Sequence, residues 1–367
     1  MTPKQCVIFR YMSGLSAFQR EKGWSPGGAP LQIYYLASEL AKDNAYEVFM
    51  WGEGKVVTPL VDNVHLVSSK LWPLFRVPLV ARIARRWATR EMVPQYARNA
   101  IIVFAGRNSA DFLANAKLAR AQGARCVFRL SSDYDAMASN PNGDYAQALC
   151  LMDAIIVQTE HQKQELLRNY ALESVLIAPS FPVPQIRGNI GHPKYVLWVG
   201  LCHDEKQPEK VFELAQLLPD VPFLMICSPV RKDYAKRIKH QAEALPNVTC
   251  LSQVEPDKIQ PYFDESYAVI NTSKYEGFPN TLHQAAIAGV PYVSLNWNAD
   301  DYLTMHDIGT CAEGSLAHMA RDIERFVTDS DERVRVGANA YRFFEERGSF
   351  ERVAKEYKDV FRYLSEA

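Results

Sequence analysis

The segment from Tyr267 to Ser294 constrains the fold of this 367-residue chain more than any other. It begins with an apolar run, which is typical of a buried strand. A short polar loop follows, and then a helix with signals at both ends. Pro279 suits the first helical position, Gly289 suits the left-handed position after the last turn, and Pro291 prevents continuation. One face of this helix carries mostly small residues, so it must pack closely, most simply against a sheet.

The loop and the first turn of this helix predict a phosphate site. The first turn of a helix leaves backbone N–H groups without partners, and the macrodipole adds partial positive charge there. Gly277 at the bend completes a strand–loop–helix arrangement that suits an anion. Glu276 stands one residue earlier, at the mouth of the predicted cleft. Taken alone, that acid is better explained as a solvated loop carboxylate near a helix start.

The longer stretch EGFPNTLHQAAIAGVP, residues 276–291, resembles the signature of family-four retaining glycosyltransferases. The resemblance implies an α/β protein with the GT-B fold, in which two Rossmann-like, doubly wound domains face each other. In that family a Glu is followed, after seven residues, by a second Glu that holds the ribose of the nucleotide. Glu276 matches the first acid, whereas Gln284 stands at the second position, so we expect altered rather than lost nucleotide binding. The resemblance implies that the donor-binding residues of this stretch are Gly277, Phe278, Pro279, Asn280, Thr281 and Gln284.

A second match to the family follows the strand predicted over residues 195–200. In the family a glycine ends this strand, an Arg comes next, and a Lys lies a few residues on. Gly200 and Lys206 match, but Leu201 stands at the Arg position. The resemblance implies that Lys206 acts with Glu276 in catalysis by neutralising the diphosphate, where charge builds as the sugar departs. Three other basic residues are candidates to supply the missing charge, and the sequence does not choose between them: Arg231, Lys232 and Arg10.

The amino-terminal part of the chain predicts a first doubly wound domain. An apolar run over residues 6–11 precedes a glycine-containing loop and an amphipathic helix. The stretch GGAPLQIYYLASELAK, which begins at Gly27 and Gly28, resembles the family's glycine-rich loop and first helix. In the family that loop faces the cleft, near the donor phosphates and the acceptor. The resemblance therefore implies that Gly27 and Gly28, like Gly200, are donor-binding residues. A flexible turn is the alternative interpretation of the two glycines.

The predicted strand over residues 126–130 ends where the family usually carries a His that contacts the donor sugar. Ser131 or Ser132 occupies that place here, and Asp133 follows. These three residues are candidates for the cleft. Asp133 is equally well explained as the N-cap of a helix.

A proline-rich stretch, Pro179 to Pro184, predicts the linker between two domains. We expect an acceptor-side domain over residues 1–187 and a donor-side domain over residues 188–346. The amphipathic segment near the carboxyl terminus resembles the helix that crosses back in this family. We therefore expect residues 347–367 to pack on the first domain.

Composition limits the possible partners and compartments. Lys and Arg number 41 against 42 Asp and Glu, so there is no bulk field of the kind that favours nucleic acid. Seven scattered cysteines without metal-ligand spacing indicate a reduced, cytoplasmic protein. The sequence shows neither a signal peptide nor an apolar run able to span a bilayer. The segment over residues 71–90 mixes aromatic residues with arginines, which suits either an ordinary surface helix or peripheral contact with the inner face of the membrane.

The resemblance predicts a retaining, hexosyltransferase-type glycosyltransferase (EC 2.4) that needs no metal or other cofactor. Its donor would be a UDP- or GDP-linked sugar, and its acceptor a hydroxyl of a glycan or lipid-linked glycan in cell-surface polysaccharide or glycoconjugate synthesis. Alternatives are a weakened or inactive scaffold protein of the same fold, or a sugar-nucleotide epimerase or phosphorylase. A nicotinamide dehydrogenase is disfavoured, because no GxGxxG follows the first strand.

Overall fold

The computed structural model describes residues 4–11, 15–18, 28–52, 55–69, 100–105, 112–137, 143–181, 192–347 and 349–366. The chain forms two compact units, of which the first comprises Met1–Pro179 with Phe350–Ala367 and the second Ser180–Ser349. The predicted change of domain at residue 187 falls outside the described residues.

The first unit is built on a mostly parallel sheet. Within the described residues its order is β3-β4-β2-β1-β5-β6-β7-β8, and only the β3–β4 pair is antiparallel. The first strand lies inside the sheet, because the chain adds strands on one side of it and then returns to the other. The strands are β1 Gln5–Arg10, β2 Tyr46–Trp51, β3 Leu60–Val61, β4 Val64–Val67, β5 Ile101–Ala105, β6 Arg125–Arg129, β7 Ala154–Val157 and β8 Val175–Leu176.

Helices cover this sheet, and the chain's last helix is one of them. β5 is buried at every position, as expected for a parallel strand covered on both faces. The last helix packs against the helix Gly28–Leu40, where the rings of Tyr35 and Phe350 lie 5.3 Å apart. Lys358 Nζ also donates to the Asp43 carboxylate at 2.7 Å. The described helices of this unit are Leu15–Phe18, Gly28–Leu40, Phe112–Ala121, Asp144–Leu149, Glu160–Tyr170 and Phe350–Glu366.

The second unit contains a fully parallel sheet in the order β11-β10-β9-β12-β13-β14. The chain leaves β9 on one side through β10 and β11, and then returns to the other side of β9 as β12. In open parallel sheets, ligands bind outside the carboxyl ends of the strands at such a reversal. The strands are β9 Tyr195–Cys202, β10 Phe223–Pro229, β11 Val248–Leu251, β12 Ser266–Asn271, β13 Tyr292–Ser294 and β14 Gly309–Cys311.

The helix predicted from the opening segment packs closely against another helix. Residue 337 is glycine because a Cβ there would lie 1.9 Å from the carbonyl oxygen of Gly289. The helix of the opening segment also contacts β12 and β13, as the sequence predicted. The described helices of the unit are Glu209–Leu217, Lys232–Glu243, Gln260–Asp264, Asn280–Ala288, Tyr302–Met305, Leu316–Thr328 and Ser330–Arg347.

Candidate functional site

The helix Asn280–Ala288 begins one residue later than predicted. Gly289 ends it in the left-handed conformation, with φ 67° and ψ 39°, which confirms the predicted C-terminal signal. Pro279 is the N-cap rather than the first helical residue, so that prediction was wrong by one position. Its ψ of 126° is extended, which means that Pro279 turns the chain into the helix instead of starting it.

Lys206 and Glu276 meet at the carboxyl edge of the second sheet, where the strand order reverses. Lys206 ends a short 3-10 turn after β9, and Glu276 lies in the loop after β12. Lys206 Nζ donates to Glu276 Oε1 at 2.6 Å, and the two side chains are 27% and 15% exposed. An ammonium and a carboxylate are therefore held together, partly screened from water, at the point where a doubly wound domain binds its ligand.

One oxygen of the Glu276 carboxylate takes all of its described hydrogen bonds. Besides Lys206, Oε1 accepts from Ser273 Oγ at 2.6 Å and from Asn271 Nδ2 at 3.3 Å. Within the described residues, Oε2 accepts no hydrogen bond and can receive a ligand hydroxyl. Three donors on one oxygen fix the orientation of the carboxylate.

The loops that carry Lys206 and Glu276 are tied to each other through Thr272. Thr272 Oγ1 lies 2.7 Å from the Lys206 carbonyl oxygen, to which it donates, and it accepts from Trp198 Nε1 at 2.9 Å. A backbone bond from Lys274 N to Glu205 O, 2.8 Å long, adds a second link. The two charged side chains therefore project from one rigid edge.

Tyr292 forms a buried polar centre behind the pair. Its side chain is fully buried, and its hydroxyl oxygen lies 2.8 Å from Asn271 Nδ2 and 2.9 Å from Thr281 Oγ1. Burial, and then the charge of Glu276, raise the pKa of Tyr292 above its ordinary value, so its hydroxyl stays protonated. Asn271, Ser273 and Tyr292 were not predicted as site residues from the sequence. The polar Asn271 at the end of an apolar strand was the available signal.

The remaining predicted residues of the opening segment shape the loop. Gly277 O accepts from Trp297 Nε1 at 3.0 Å. Phe278 is buried against the rings of Trp297 and His283, with centroid distances of 5.5 and 4.9 Å. Gln284 is only 7% exposed, and its carbonyl oxygen accepts from a Gln260 side chain at 3.1 Å. Phe278 therefore anchors the loop, and Gln284 lies inside the helix packing rather than on the loop.

Gly200 has a packing reason to be glycine. A Cβ at position 200 would lie 2.8 Å from the Trp198 ring.

Of the three candidates for the missing positive charge, Arg231 lies beside the turn that carries Lys206. Arg231 Nη1 lies 3.8 Å from the carboxylate of Asp204, which belongs to the same short turn as Lys206. Lys232 begins the next helix. Arg10 belongs to the first unit, where its guanidinium lies 4.4 Å from the Trp51 ring centroid.

The structure describes four of the five site residues that were predicted in the first unit. Gly27 lies outside the described residues, and Gly28 begins the helix Gly28–Leu40. Ser132, not Asp133, caps the 3-10 helix Asp133–Asp135, because its hydroxyl accepts from the Tyr134 N–H. Asp133 is the first residue of that helix, and its carboxylate accepts from Gln162 Nε2 at 3.0 Å. The backbone N–H of Ser131 donates to Asp135 at 2.7 Å.

The part of the chain that the structure describes contains neither a metal site nor a membrane-spanning helix. No three His, Cys, Asp or Glu side chains converge there in a way that could hold a metal ion. No helix there combines the length and apolarity needed to cross a membrane. The arginine-rich segment over residues 71–90 lies outside that part.

The second unit is the part of the chain that matches a known family model. Residues 183–343 match the family model described as glycosyl transferases group 1. The match is shorter than half of the chain, and it includes both Lys206 and Glu276. No curated protein sequence matches the chain.

Comparison with solved structures bears on the whole chain. Sucrose-phosphate synthase from Thermosynechococcus elongatus is 16% identical, with a TM-score of 0.77 over 98% of this chain and 99% of that one. Anabaena HepE, solved in complex with UDP, is 14% identical, with a TM-score of 0.73 over 98% and 100%. A UDP-forming α,α-trehalose-phosphate synthase from Burkholderia vietnamiensis is 13% identical, with a TM-score of 0.70 over 98% and 100%. Identities this low establish the fold alone, and that fold is GT-B with two Rossmann-like units.

Proposed function

We propose that this protein is a retaining glycosyltransferase of family four that moves a sugar from a nucleoside-diphosphate sugar to an acceptor hydroxyl. The observation that carries the proposal is the Lys206–Glu276 pair at the strand-order reversal of the second sheet. A nucleoside-diphosphate sugar matches this pair, because its diphosphate is anionic and its sugar presents hydroxyls to a carboxylate. The group 1 match, which spans both residues, supports the same class of reaction.

In the proposed reaction the protein stabilises charge that develops on the leaving group. Lys206 and the first turn of the helix Asn280–Ala288 face the diphosphate and offset the charge that it gains as the sugar departs. Glu276 binds sugar hydroxyls through Oε2 and fixes the anomeric carbon relative to the acceptor. The reaction needs no metal in this proposal.

The ion pair between Lys206 and Glu276 imposes a condition on the donor. Lys206 and Glu276 neutralise each other at 2.6 Å, so a ligand that takes only the lysine leaves a partly buried carboxylate without its cation. A complete nucleotide sugar replaces both partners, because the diphosphate binds Lys206 while the sugar hydroxyls bind Glu276. The arrangement favours intact donor over product.

UDP is the first nucleotide to test, since two proteins of the same fold are named with UDP. The acceptor in this proposal is a glycan or lipid-linked glycan that binds the first unit. We also propose a cytoplasmic protein, with the segment over residues 71–90 as the candidate for peripheral membrane contact.

The test measures release of UDP or GDP from a panel of nucleotide sugars, together with the affinity for UDP and GDP. Glu276→Gln should lower the turnover at least about 100-fold, while UDP binds at least as tightly, because Lys206 is no longer held by a carboxylate. Lys206→Met should instead weaken UDP binding about tenfold or more.

Lys210→Met is the matched control, since Lys210 also pairs with a glutamate, Glu213, at 3.0 Å on an exposed helix face. Lys210→Met should change neither the turnover nor the affinity for UDP. If wild-type protein released no nucleotide from any sugar donor yet bound UDP, the scaffold alternative would replace this proposal. If the wild-type protein bound neither UDP nor GDP, both the glycosyltransferase proposal and the scaffold alternative would fail.

A further inference from the structure

The hydroxyl of Thr281 is connected to the buried edge of the sheet by a chain of hydrogen bonds with a defined direction. The chain starts at the backbone N–H of Ser273, which donates to Asn271 Oδ1 at 2.7 Å. Because this bond uses the amide oxygen, the amide nitrogen must face the opposite way. Asn271 Nδ2 therefore donates to the Tyr292 hydroxyl oxygen at 2.8 Å, and the orientation of the Asn271 amide is settled.

The direction of the next bond follows from the burial of Tyr292. A buried hydroxyl proton that lacks an acceptor costs free energy, so the Tyr292 proton must be used. Of the two described partners of this hydroxyl, Asn271 is a donor, which leaves Thr281 Oγ1 at 2.9 Å as the acceptor. Tyr292 therefore donates to Thr281.

The proton of Thr281 is then turned away from Tyr292. Only one proton occupies the line between the two oxygens, and it belongs to Tyr292. Thr281 is half-buried and lies in the first turn of the helix Asn280–Ala288, where the macrodipole places partial positive charge. Its hydroxyl therefore adds an O–H donor at the end of the helix that attracts an anion.

We infer that Asn271 and Tyr292 are positioning residues that make the Thr281 hydroxyl a hydrogen-bond donor to the diphosphate of the donor nucleotide. The inference rests on the proposed function, since the ligand is the same nucleoside diphosphate. Asn271 Nδ2 also lies 3.3 Å from Glu276 Oε1, so one amide connects the diphosphate side of the site with the carboxylate that receives the sugar.

The test is a double-mutant cycle on UDP affinity, measured by calorimetry with the full chain. Thr281→Val, which keeps the shape and removes the hydroxyl, should weaken UDP binding about tenfold. Tyr292→Phe should weaken it about three- to tenfold, because the Thr281 proton is then free to turn inward. In the Thr281→Val background, Tyr292→Phe should add less than about twofold, since the donor that it orients is already absent.

Two variants complete the design. Thr281→Ser keeps the hydroxyl and should restore UDP affinity. Tyr195→Phe is the matched control, because it removes a tyrosine hydroxyl that binds the Tyr262 carbonyl at 3.2 Å at the start of β9. This variant should leave UDP affinity within about twofold of wild type, because Tyr195 lies at the amino end of β9 and Lys206 follows its carboxyl end.

The possible results distinguish a failure of the Thr281 inference from a failure of the proposed function. Wild-type UDP affinity in Thr281→Val, or independent losses from Thr281→Val and Tyr292→Phe that add in the double variant, would overturn the inference while the proposed function stands. If Tyr292→Phe failed to fold, the Thr281→Val and Thr281→Ser pair would still decide whether the hydroxyl binds UDP. Failure of wild-type protein to bind either UDP or GDP would overturn both.

Discussion

At the scale of single residues, the buried hydroxyl of Tyr292 joins Asn271 at the end of β12 to Thr281 in the first turn of the following helix. The residues of this site were not equally visible in the sequence. Glu276 and Lys206 were identified through resemblance, because each lies in a stretch whose spacing matches the family. Tyr292 was not, because it belongs to an apolar run that predicts only a core strand. Its hydroxyl meets Asn271 only because β12 and β13 pair in parallel with one particular register. Such a contact depends on tertiary structure and cannot be inferred from local pattern.

The raised pKa of Tyr292 predicts a dependence of stability on alkaline pH. The unfolded tyrosine loses its proton near its ordinary pKa of 10.0, whereas burial keeps the folded one protonated above that value. Its contribution to stability is therefore complete below about pH 10 and is lost as the pH rises further. Tyr292→Phe should reduce the loss of unfolding free energy between about pH 9 and 11.

Urea unfolding at about pH 8, 10 and 11 measures this effect. The variant should keep part of the wild-type slope, because burial also raises the pKa of Tyr195 and Tyr234. Equal slopes for the variant and wild type would show that Tyr292 ionises as readily in the folded protein as in the unfolded one.

At the scale of helices and strands, local chemistry determined what could be predicted. Gly289 marked the end of its helix correctly, because a left-handed C-cap is a property of a few adjacent residues. The strands β3, β4 and β14 were not predicted, because none of them contains an apolar run longer than two residues. The contact between Gly337 and the Gly289 carbonyl could not be foreseen either, because the two residues lie almost fifty positions apart in the chain.

Gly337→Ala tests that helix contact. An added Cβ would lie 1.9 Å from the Gly289 carbonyl oxygen, so one of the two helices must shift. We expect the free energy of unfolding to fall by about 1–3 kcal/mol, although alanine is intrinsically the better helix former. Denaturant unfolding measures the difference, and Ala338→Leu on the exposed face of the same helix should change it by less than about 0.5 kcal/mol. A Gly337→Ala variant more stable than wild type would contradict the close packing.

At the scale of the whole molecule, two similar sheets arise from one pattern. In both units the first strand lies inside the sheet, with the strand-order reversal between β1 and β5 and between β9 and β12. Apolar runs alternating with helical periodicity predicted two doubly wound domains, and the resemblance identified their fold. The resemblance also led us to expect residues 347–367 on the first domain, and the last helix does belong to the first unit although it follows the second in sequence.

Removal of Phe350–Ala367 should therefore damage the first unit and spare the second. The deleted helix buries four large side chains in the first unit, and their loss exposes apolar surface there: Val353, Tyr357, Phe361 and Leu364. Limited proteolysis should then cleave the first unit rapidly and leave a resistant fragment close to residues 192–347. Deletion of residues 365–367 alone should leave the proteolysis pattern unchanged. Rapid digestion of both units, or of neither, would refute the assignment.

The position of that helix has a consequence for biosynthesis. A ribosome makes the chain from its amino terminus, so the first unit emerges without one of its covering helices and waits while the entire second unit is translated. Apolar surface on the nascent chain stays uncovered during that interval, which makes it a target for chaperones. A messenger that ends early, even by one helix, encodes a protein whose second unit can fold while its first unit keeps that apolar surface uncovered.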